Sequence, residues 1–599
     1  MSDFKLVNLV DSQLEDITSE VTLPVITGAQ SNNFQTFNAQ SGIGSSQIQF
    51  NVQVPSLATA VNRHFLVQTD IALQVDFDGG TTAKKWEPNA ILFSYGRTNS
   101  LQAFPLNALL STIQSNLNNA TVSVNTRDVM AALLKMYNYE ELAKYNSLTP
   151  SLIDSFYQNY VDGLGSNNNV IANYSVGTFS KEYQPRGVFP VTLWTTDGTQ
   201  IDSLTIKADE NGTSPYASII LKFTTTEPLL FLSPYRSGNC NNYASFLGLN
   251  NLTITMNLGD ATRVMSNASY ALLADESTSS KTISNVSLSA YSNAKLLLNF
   301  LTIPPVLMAK IEPKNVVNYN QYTAYNYSPS TVIAGEASSQ LSFNNIQLNQ
   351  IPSKILIFAK KAQQTTYDSN FFMVISKVSI NFANKSGLLS SANQVQLYDM
   401  SVKNGLQMNF YEFSGSGISN NEDGDPVLVP TIGSILCVDP AIDLSIESQY
   451  TNMSAGQYNM QFDITFQNQT KEAITPTLYL VVVNSGVFIT ENGTSSFNTG
   501  LLTQEMVLDT KAKEAVMDKQ TYEEDVVGGS IENIGSIHKH MKLNFHKATA
   551  KEHDMDQGPG AMAPRIGSGM SGSGMSASGM SGSSMPAPRG RRIHKHLVG

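Results

Sequence analysis

The chain of 599 residues has two cysteines, two tryptophans, seven histidines and only 14 % charged residues. Cys240 and Cys437 lie far apart and share no Cys-x-x-Cys spacing, which excludes a disulfide framework or a zinc knuckle and leaves two free buried thiols as the expectation. No run approaches the 18 or so consecutive apolar residues of a membrane-spanning helix. The opening Met1-Ser-Asp-Phe-Lys-Leu-Val7 has no apolar core of a secretory signal, so synthesis inside the cell in a reducing compartment is expected. The sequons Asn211-Gly-Thr213 and Asn492-Gly-Thr494 then follow from an Asn- and Thr-rich composition rather than from glycosylation. A charged fraction well under the roughly 25 % of ordinary soluble domains gives a polar, weakly charged surface suited to strands and large subunit contacts.

Scarcity of histidine narrows the chemistry further. Six of the seven (His538, His540, His546, His553, His594 and His596) fall in the last 62 residues, so a Ser-His-Asp or Cys-His site in the body would have to use His64. His64 sits on the polar side of an alternating strand, where a surface or interface role is expected. No GxxxxGK[ST] is present, and no GxGxxG follows a strand. The patch Asn421-Glu-Asp-Gly-Asp-Pro426 lacks the spaced oxygens and terminal glutamate of a calcium loop and reads as a solvated turn. Carboxylates are numerous, but nothing singles out a hydrolytic pair. No catalytic residue, cofactor site or metal site is expected, and the chain is not read as an enzyme.

What the sequence has in abundance is period-two patterning. Gln47-Ile-Gln-Phe-Asn-Val-Gln-Val54 places Ile48, Phe50, Val52 and Val54 on one face, and Phe65 to Phe77 repeats the alternation until Asp78-Gly-Gly turns the chain. Further strands are expected at Ser218–Phe223, Leu252–Leu258, Lys354–Ala359, Phe371–Phe382 and Tyr458–Phe466. Leu478-Tyr-Leu-Val-Val-Val483 has no polar alternation and predicts a strand buried on both faces. Helical spacing interrupts this texture at Val129, Leu133 and Met136. A second helix is expected to start at Thr149-Pro150 and run through Leu152, Phe156 and Tyr160 to Gly163.

Many short strands separated by Gly, Pro and Asn turns argue for two jelly-roll β-sandwiches in tandem, an all-β double jelly roll with a small helical insertion and a disordered C-terminal tail. The expected organisation is an arm over 1–20, a first roll over 21–300 with its insertion at about 125–163, a second roll over 301–505, a helical segment over 506–525 and a flexible basic tail over 526–599. Residues 538–599 carry nine Lys and Arg against three acids, a balance of +6, so the remainder of a chain of net charge −11 carries −17. That asymmetry suggests that the tail has a partner of its own. Ile537-His-Lys-His540 recurs as Ile593-His-Lys-His596, and the default reading of both is solvated base rather than a metal site. Arg589, Arg591, Arg592 and Lys595 could meet phosphates through counterion release, without the interleaved aromatics that would read sequence.

Several segments in combination resemble the major capsid proteins of the double jelly-roll type found in Polinton or Maverick elements, adintoviruses and virophages. They are Asn32-Asn-Phe-Gln-Thr-Phe-Asn-Ala39, Val61-Asn-Arg-His64, Leu232-Ser-Pro-Tyr-Arg-Ser-Gly238 and Tyr243 to Leu258 in the first half. In the second half they are Ile351 to Ala359, Asp368-Ser-Asn-Phe-Phe372, Leu397 to Gly405, Gly456 to Phe462 and Val487 to Thr490.

The resemblance implies trimers forming pseudo-hexameric capsomers, and an icosahedral shell around a DNA genome in the virion. Implied partners are further copies of the chain, penton or minor capsid proteins, a maturation protease, and DNA or an inner membrane through the tail. The cysteine protease of related viruses prefers Met, Ile or Leu followed by x-Gly-x-Gly or by x-Gly-Gly. Met570-Ser-Gly-Ser-Gly574 would then be cut between Ser573 and Gly574, and Val526-Val-Gly-Gly-Ser530, which approximates the second form with Val526 in place of a longer apolar side chain, between Gly529 and Ser530. A β-sandwich fibre, spike or carbohydrate-binding protein is the alternative; a carboxylate-based glycoside hydrolase is a distant third, since Trp86 and Trp194 are few for a sugar cleft.

Overall fold

Alternating side chains become alternating burial. In the strand Gln47–Gln53, Ile48, Phe50 and Val52 are fully buried while their neighbours reach the surface, and Leu66–Phe77 alternates over its whole length. The chain is described here by a computed structural model that covers residues 5–7, 23–25, 31–40, 46–79, 84–155, 186–235, 245–274, 278–303, 314–368, 371–420, 425–444 and 452–500.

The first roll is two antiparallel sheets. One has the strand order Ala120–Val124, Leu110–Leu117, Asn251–Leu258, Gln47–Gln53. The other runs Gln200–Ile201, Thr192–Thr195, Ser218–Pro228, Leu66–Phe77, Ile283–Thr302, Ser31–Asn38, with Thr59–Val61 also paired to Ile283–Thr302. Neighbours in each sheet come from distant parts of the sequence: Phe50 lies opposite Ile254, and Leu73 opposite both Leu221 and Leu288.

The second roll repeats the plan. One sheet is ordered Lys314–Tyr327, Pro476–Glu491, Lys354–Lys361, Leu436–Val438, with Thr494–Asn498 hydrogen-bonded to Pro476–Glu491. The other is Ser338–Gln350, Ala455–Gln467, Val374–Phe382, Lys385–Leu388. Leu478, Leu480, Val481 and Val482 are all buried, so the uninterrupted apolar run does lie between two covered faces. The first roll's last strand ends at Thr302 and the second roll's first begins at Lys314. The buried apolar side chains of both rolls form one continuous cluster.

The helix Thr126–Leu134 occupies the expected position, followed by the short helix Tyr139–Ala143. The helix expected from Thr149-Pro150 is absent over the described residues 150–155. Thr149 and Pro150 imitate a cap and first turn, but tertiary partners claim their polar groups: the Thr149 hydroxyl donates to Glu227, and the Pro150 carbonyl accepts from the Phe104 amide. Residues 156–163 of that helix, the helical segment 506–525 and the tail from 526 lie outside the described residues.

Two helices in the second roll, Gln394–Lys403 and Phe410–Ser414, escaped the sequence reading although each carries a legible signal. Asn393 with Gln396 and Asn409 with Glu412 form capping boxes, each pair exchanging side-chain and backbone hydrogen bonds.

Phe50 fills the centre of the first roll with no exposure. Phe50→Ala is expected to cost about 3–5 kcal/mol of stability, read from the midpoint of denaturant unfolding at unchanged slope.

Candidate functional site at the seam and on the outer surface

The polar groups with the most demanding geometry gather where the two rolls meet. The turn at Ala362–Asp368 in the second roll enters the first: the Asn267 amide donates to the Thr366 carbonyl at 3.0 Å, and the Asn267 side chain donates to the Thr366 hydroxyl at 2.6 Å. Tyr367 donates its hydroxyl to the Ser269 carbonyl at 3.0 Å and accepts from the Ile283 amide at 3.1 Å. Its ring meets Tyr270 edge-on at 5.4 Å, and the Lys281 ammonium stands 5.1 Å from its centre. Burial pushes the Tyr367 hydroxyl above its ordinary pKa, so it remains a donor throughout the neutral range.

A second patch lies at the hairpin after Pro476–Glu491. Asn492 and Gly493 both have positive φ, 44° and 83°, as a tight two-residue turn requires. The turn brings Gly493 N–H to the Gly248 carbonyl at 3.1 Å and Thr490 Oγ1 to the Leu247 carbonyl at 2.5 Å. Asn118 and Asn119 complete it by bonding Ser495 through side-chain donor and acceptor atoms. Beneath it Phe246 meets Phe488 at 6.3 Å, and Arg63, nearly fully buried, lies over Phe246 while its Nε donates to the Pro234 carbonyl at 2.7 Å. Tyr235 packs on Phe65 and Phe246. Two of the segments that carry the family resemblance, 61–64 and the described residues 232–235 of the other, thus meet around one aromatic cluster.

Two buried ionic groups support the same region of the first roll. Arg186 pairs with Asp154 and donates to Gln102, while Lys135 donates to the Asp154 carbonyl at 2.9 Å and Ser266 donates to the Asp154 carboxylate. Glu227, with no exposure, accepts from the amides of Leu106 and Asn107, the Asn107 side chain and the hydroxyls of Thr149 and Thr225. Burial pushes its carboxyl above the usual range, and the hydrogen bonds from Asn107, Leu106 and Thr225 offset only part of that rise. The sequence offered one usable sign of Glu227, a lone carboxylate just before the apolar Pro228-Leu-Leu-Phe-Leu232; for Arg186 and Asp154 it offered none.

The residues weighed for catalysis are placed otherwise. His64 is half-buried and its ring stacks on Tyr145 at 6.1 Å. Cys437 is a free buried thiol whose pKa burial pushes up to about 12, which keeps it unreactive; Cys240 lies outside the described residues. Trp86 is buried, and the face of Trp194 is covered by the Lys222 ammonium at 4.0 Å, so neither is presented as a sugar platform. Of the acidic patch, only Asp425 and Pro426 are described. Among the described residues no three His, Cys, Asp or Glu gather as metal ligands, and no helix is long and apolar enough to cross a membrane. Ser573, Gly574, Gly529, Ser530, Arg589, Arg591, Arg592 and Lys595 all lie outside the described residues.

Apolar side chains are exposed on the second roll. The hairpin of Ser416–Asn420 and Pro426–Pro430 belongs to neither large sheet, and its opposed Ile418 and Leu428 are 62 % and 77 % exposed. Tyr411, beside it, is 58 % exposed.

Comparison with known proteins follows the same division. Residues 2–301 match the family model of the Sputnik virophage major capsid protein first domain, and residues 319–486 match that of the major capsid protein V20 C-terminal domain. Capsid protein V20 of Sputnik virophage is 24 % identical over 582 residues, 93 % of this chain and 92 % of that one. A chain in the cryo-EM structure of the Sputnik virophage superposes with a TM-score of 0.67 at 23 % identity, covering 85 % of this chain and 96 % of that chain. The mavirus major capsid protein gives 0.60 at 17 % identity, covering 84 % and 95 %. The fold is the double jelly roll.

A seam closed by directed hydrogen bonds predicts a specific loss. Tyr367→Phe leaves the buried Ile283 amide without its acceptor and is expected to cost about 1–3 kcal/mol, read by thermal or denaturant unfolding.

Proposed function

Because the chain belongs to the Sputnik virophage major capsid protein family, and is thus a component of a virion capsid, we propose that three copies form a pseudo-hexagonal capsomer and that capsomers tile an icosahedral shell around a DNA genome. The observation that carries this reading is the pair of rolls joined through a seam of directed bonds: three such units present six similar rolls around one axis. A weakly charged surface, 14 % charged residues overall, limits repulsion between close-packed copies. The exposed Ile418, Leu428 and Tyr411 are apolar area available for burial between copies. Penton or minor capsid proteins would then complete the shell where six-fold packing cannot.

In this reading the tail points inward. Its net charge of +6 over 538–599, with Arg589, Arg591, Arg592 and Lys595 beyond a Ser-Gly-Met spacer, suits sequence-blind contact with DNA or an inner membrane surface. A maturation protease would release it at Ser573–Gly574 or Gly529–Ser530, since glycine lets an extended backbone approach a cleft closely.

Two measurements test these points. Purified chain examined by sizing and electron microscopy is expected to give trimers and hexagonal sheets or shells, with Leu428→Asp reducing them; monomers at all concentrations would refute the capsomer. Intact mass of the protein from infectious particles is expected to show loss of the residues after Ser573 or Gly529, and a full-length chain would refute processing.

A further inference from the structure

Where the strand Lys354–Lys361 of the second roll meets the helix Thr126–Leu134 of the first, a cavity of about 20 Å³ remains. Lys360 enters it from the second roll; Gln102, Met130, Leu134, Ile153 and Arg263 line it from the first. That is room for one water molecule at most, between walls that are mainly apolar. A lysine of one roll and an arginine of the other therefore share one small, nearly dry space.

Each is fixed in place. Arg263 donates Nη1 to the Arg127 carbonyl at 3.1 Å and Nη2 to the Leu110 carbonyl at 2.9 Å. Lys360 is 6 % exposed; its ammonium lies 5.2 Å from the centre of the Phe372 ring and 3.4 Å from Gln364 Oε1. Among the described residues, charged groups that face Lys360 include Arg263 from the short helix Ala261–Arg263, Asp128 from the helix Thr126–Leu134 and Asp368 from the turn after its own strand. Asp260, Arg127 and Tyr479 also lie around Asp128 and Arg263. Each carboxylate makes further bonds of its own: Asp128 with Arg127 and Asn125, Asp368 with Lys361 and Thr365, and Asp260 with Thr262.

We propose that Lys360 and Arg263 form a proton-operated latch between the rolls: neutral Lys360 lets the seam close, and a proton taken up by Lys360 sets two like charges across the cavity and loosens it. Burial, and after it the Arg263 charge, brings the Lys360 ammonium down from the ordinary lysine value to about 7. The closed seam thus binds fewer protons than the opened one between about 7 and the ordinary 10.5. Closure gains stability as pH rises through that window, and below about 7 the whole penalty is present.

Hydrogen exchange on the full-length chain reads this directly. The amides of Asn267, Gln407 and Ile432 donate across the seam to Thr366, Lys135 and Ser155, whereas those of Ile254 and Val481 lie within single rolls. Exchange at the first set relative to the second cancels the chemistry common to all amides. From roughly pH 8.5 to roughly pH 5.5 this ratio is expected to rise by about thirtyfold in the natural protein and to stay level in Lys360→Met. A level ratio in the natural protein, or an equal rise in Lys360→Met, overturns the latch. Should Lys360→Met fail to fold, Arg263→Gln must move the midpoint of the rise to higher pH and Asp128→Asn to lower pH; two unmoved midpoints overturn it equally.

Discussion

The structure depends on where the first roll's buried polar groups find partners. The side-chain amide and backbone amide of Asn267 and the Ile283 amide donate to Thr366 and Tyr367 of the second roll. A buried amide or carbonyl left without a partner costs as much as several ordinary contacts contribute. Neither roll therefore presents a finished surface at the seam. The two sandwiches are thereby tied to each other rather than strung as separate beads, which suits the proposed shell subunit, since a unit that flexed in the middle could not repeat one contact many times over.

Supporting groups extend the same logic inward. Glu227 gathers five donors from the Pro105–Leu109 helix start, Thr149 and Thr225, which fixes the segment leading to Pro150 and Ser155. Ser155 then offers its carbonyl to the Ile432 amide across the seam, and Lys135 offers its own to Gln407. The insertion between the strands of the first roll thus serves the junction through its backbone. Its helices are short because their length is set by this docking rather than by propensity.

The strands were legible because one physical rule, alternate burial, writes itself locally: Gln47–Gln53 and Leu66–Phe77 need no knowledge of their partners. The seam was not, since its bonds join residues such as Ile283 and Tyr367 whose pairing no local pattern encodes. The misread helix at Thr149-Pro150 shows the limit from the other side, because the cap signal was sound chemistry and a buried carboxylate distant in sequence outbid it. The resemblance to double jelly-roll capsid proteins reached further, placing 61–64 and 232–238 in one family pattern before the structure brought Arg63 onto the Pro234 carbonyl.

If the seam makes one body of two rolls, they must unfold together. Differential scanning calorimetry of the full-length chain is the most direct test. A single transition whose calorimetric and van't Hoff enthalpies agree is the predicted result; two resolved transitions, each carrying about half the enthalpy, would contradict the account.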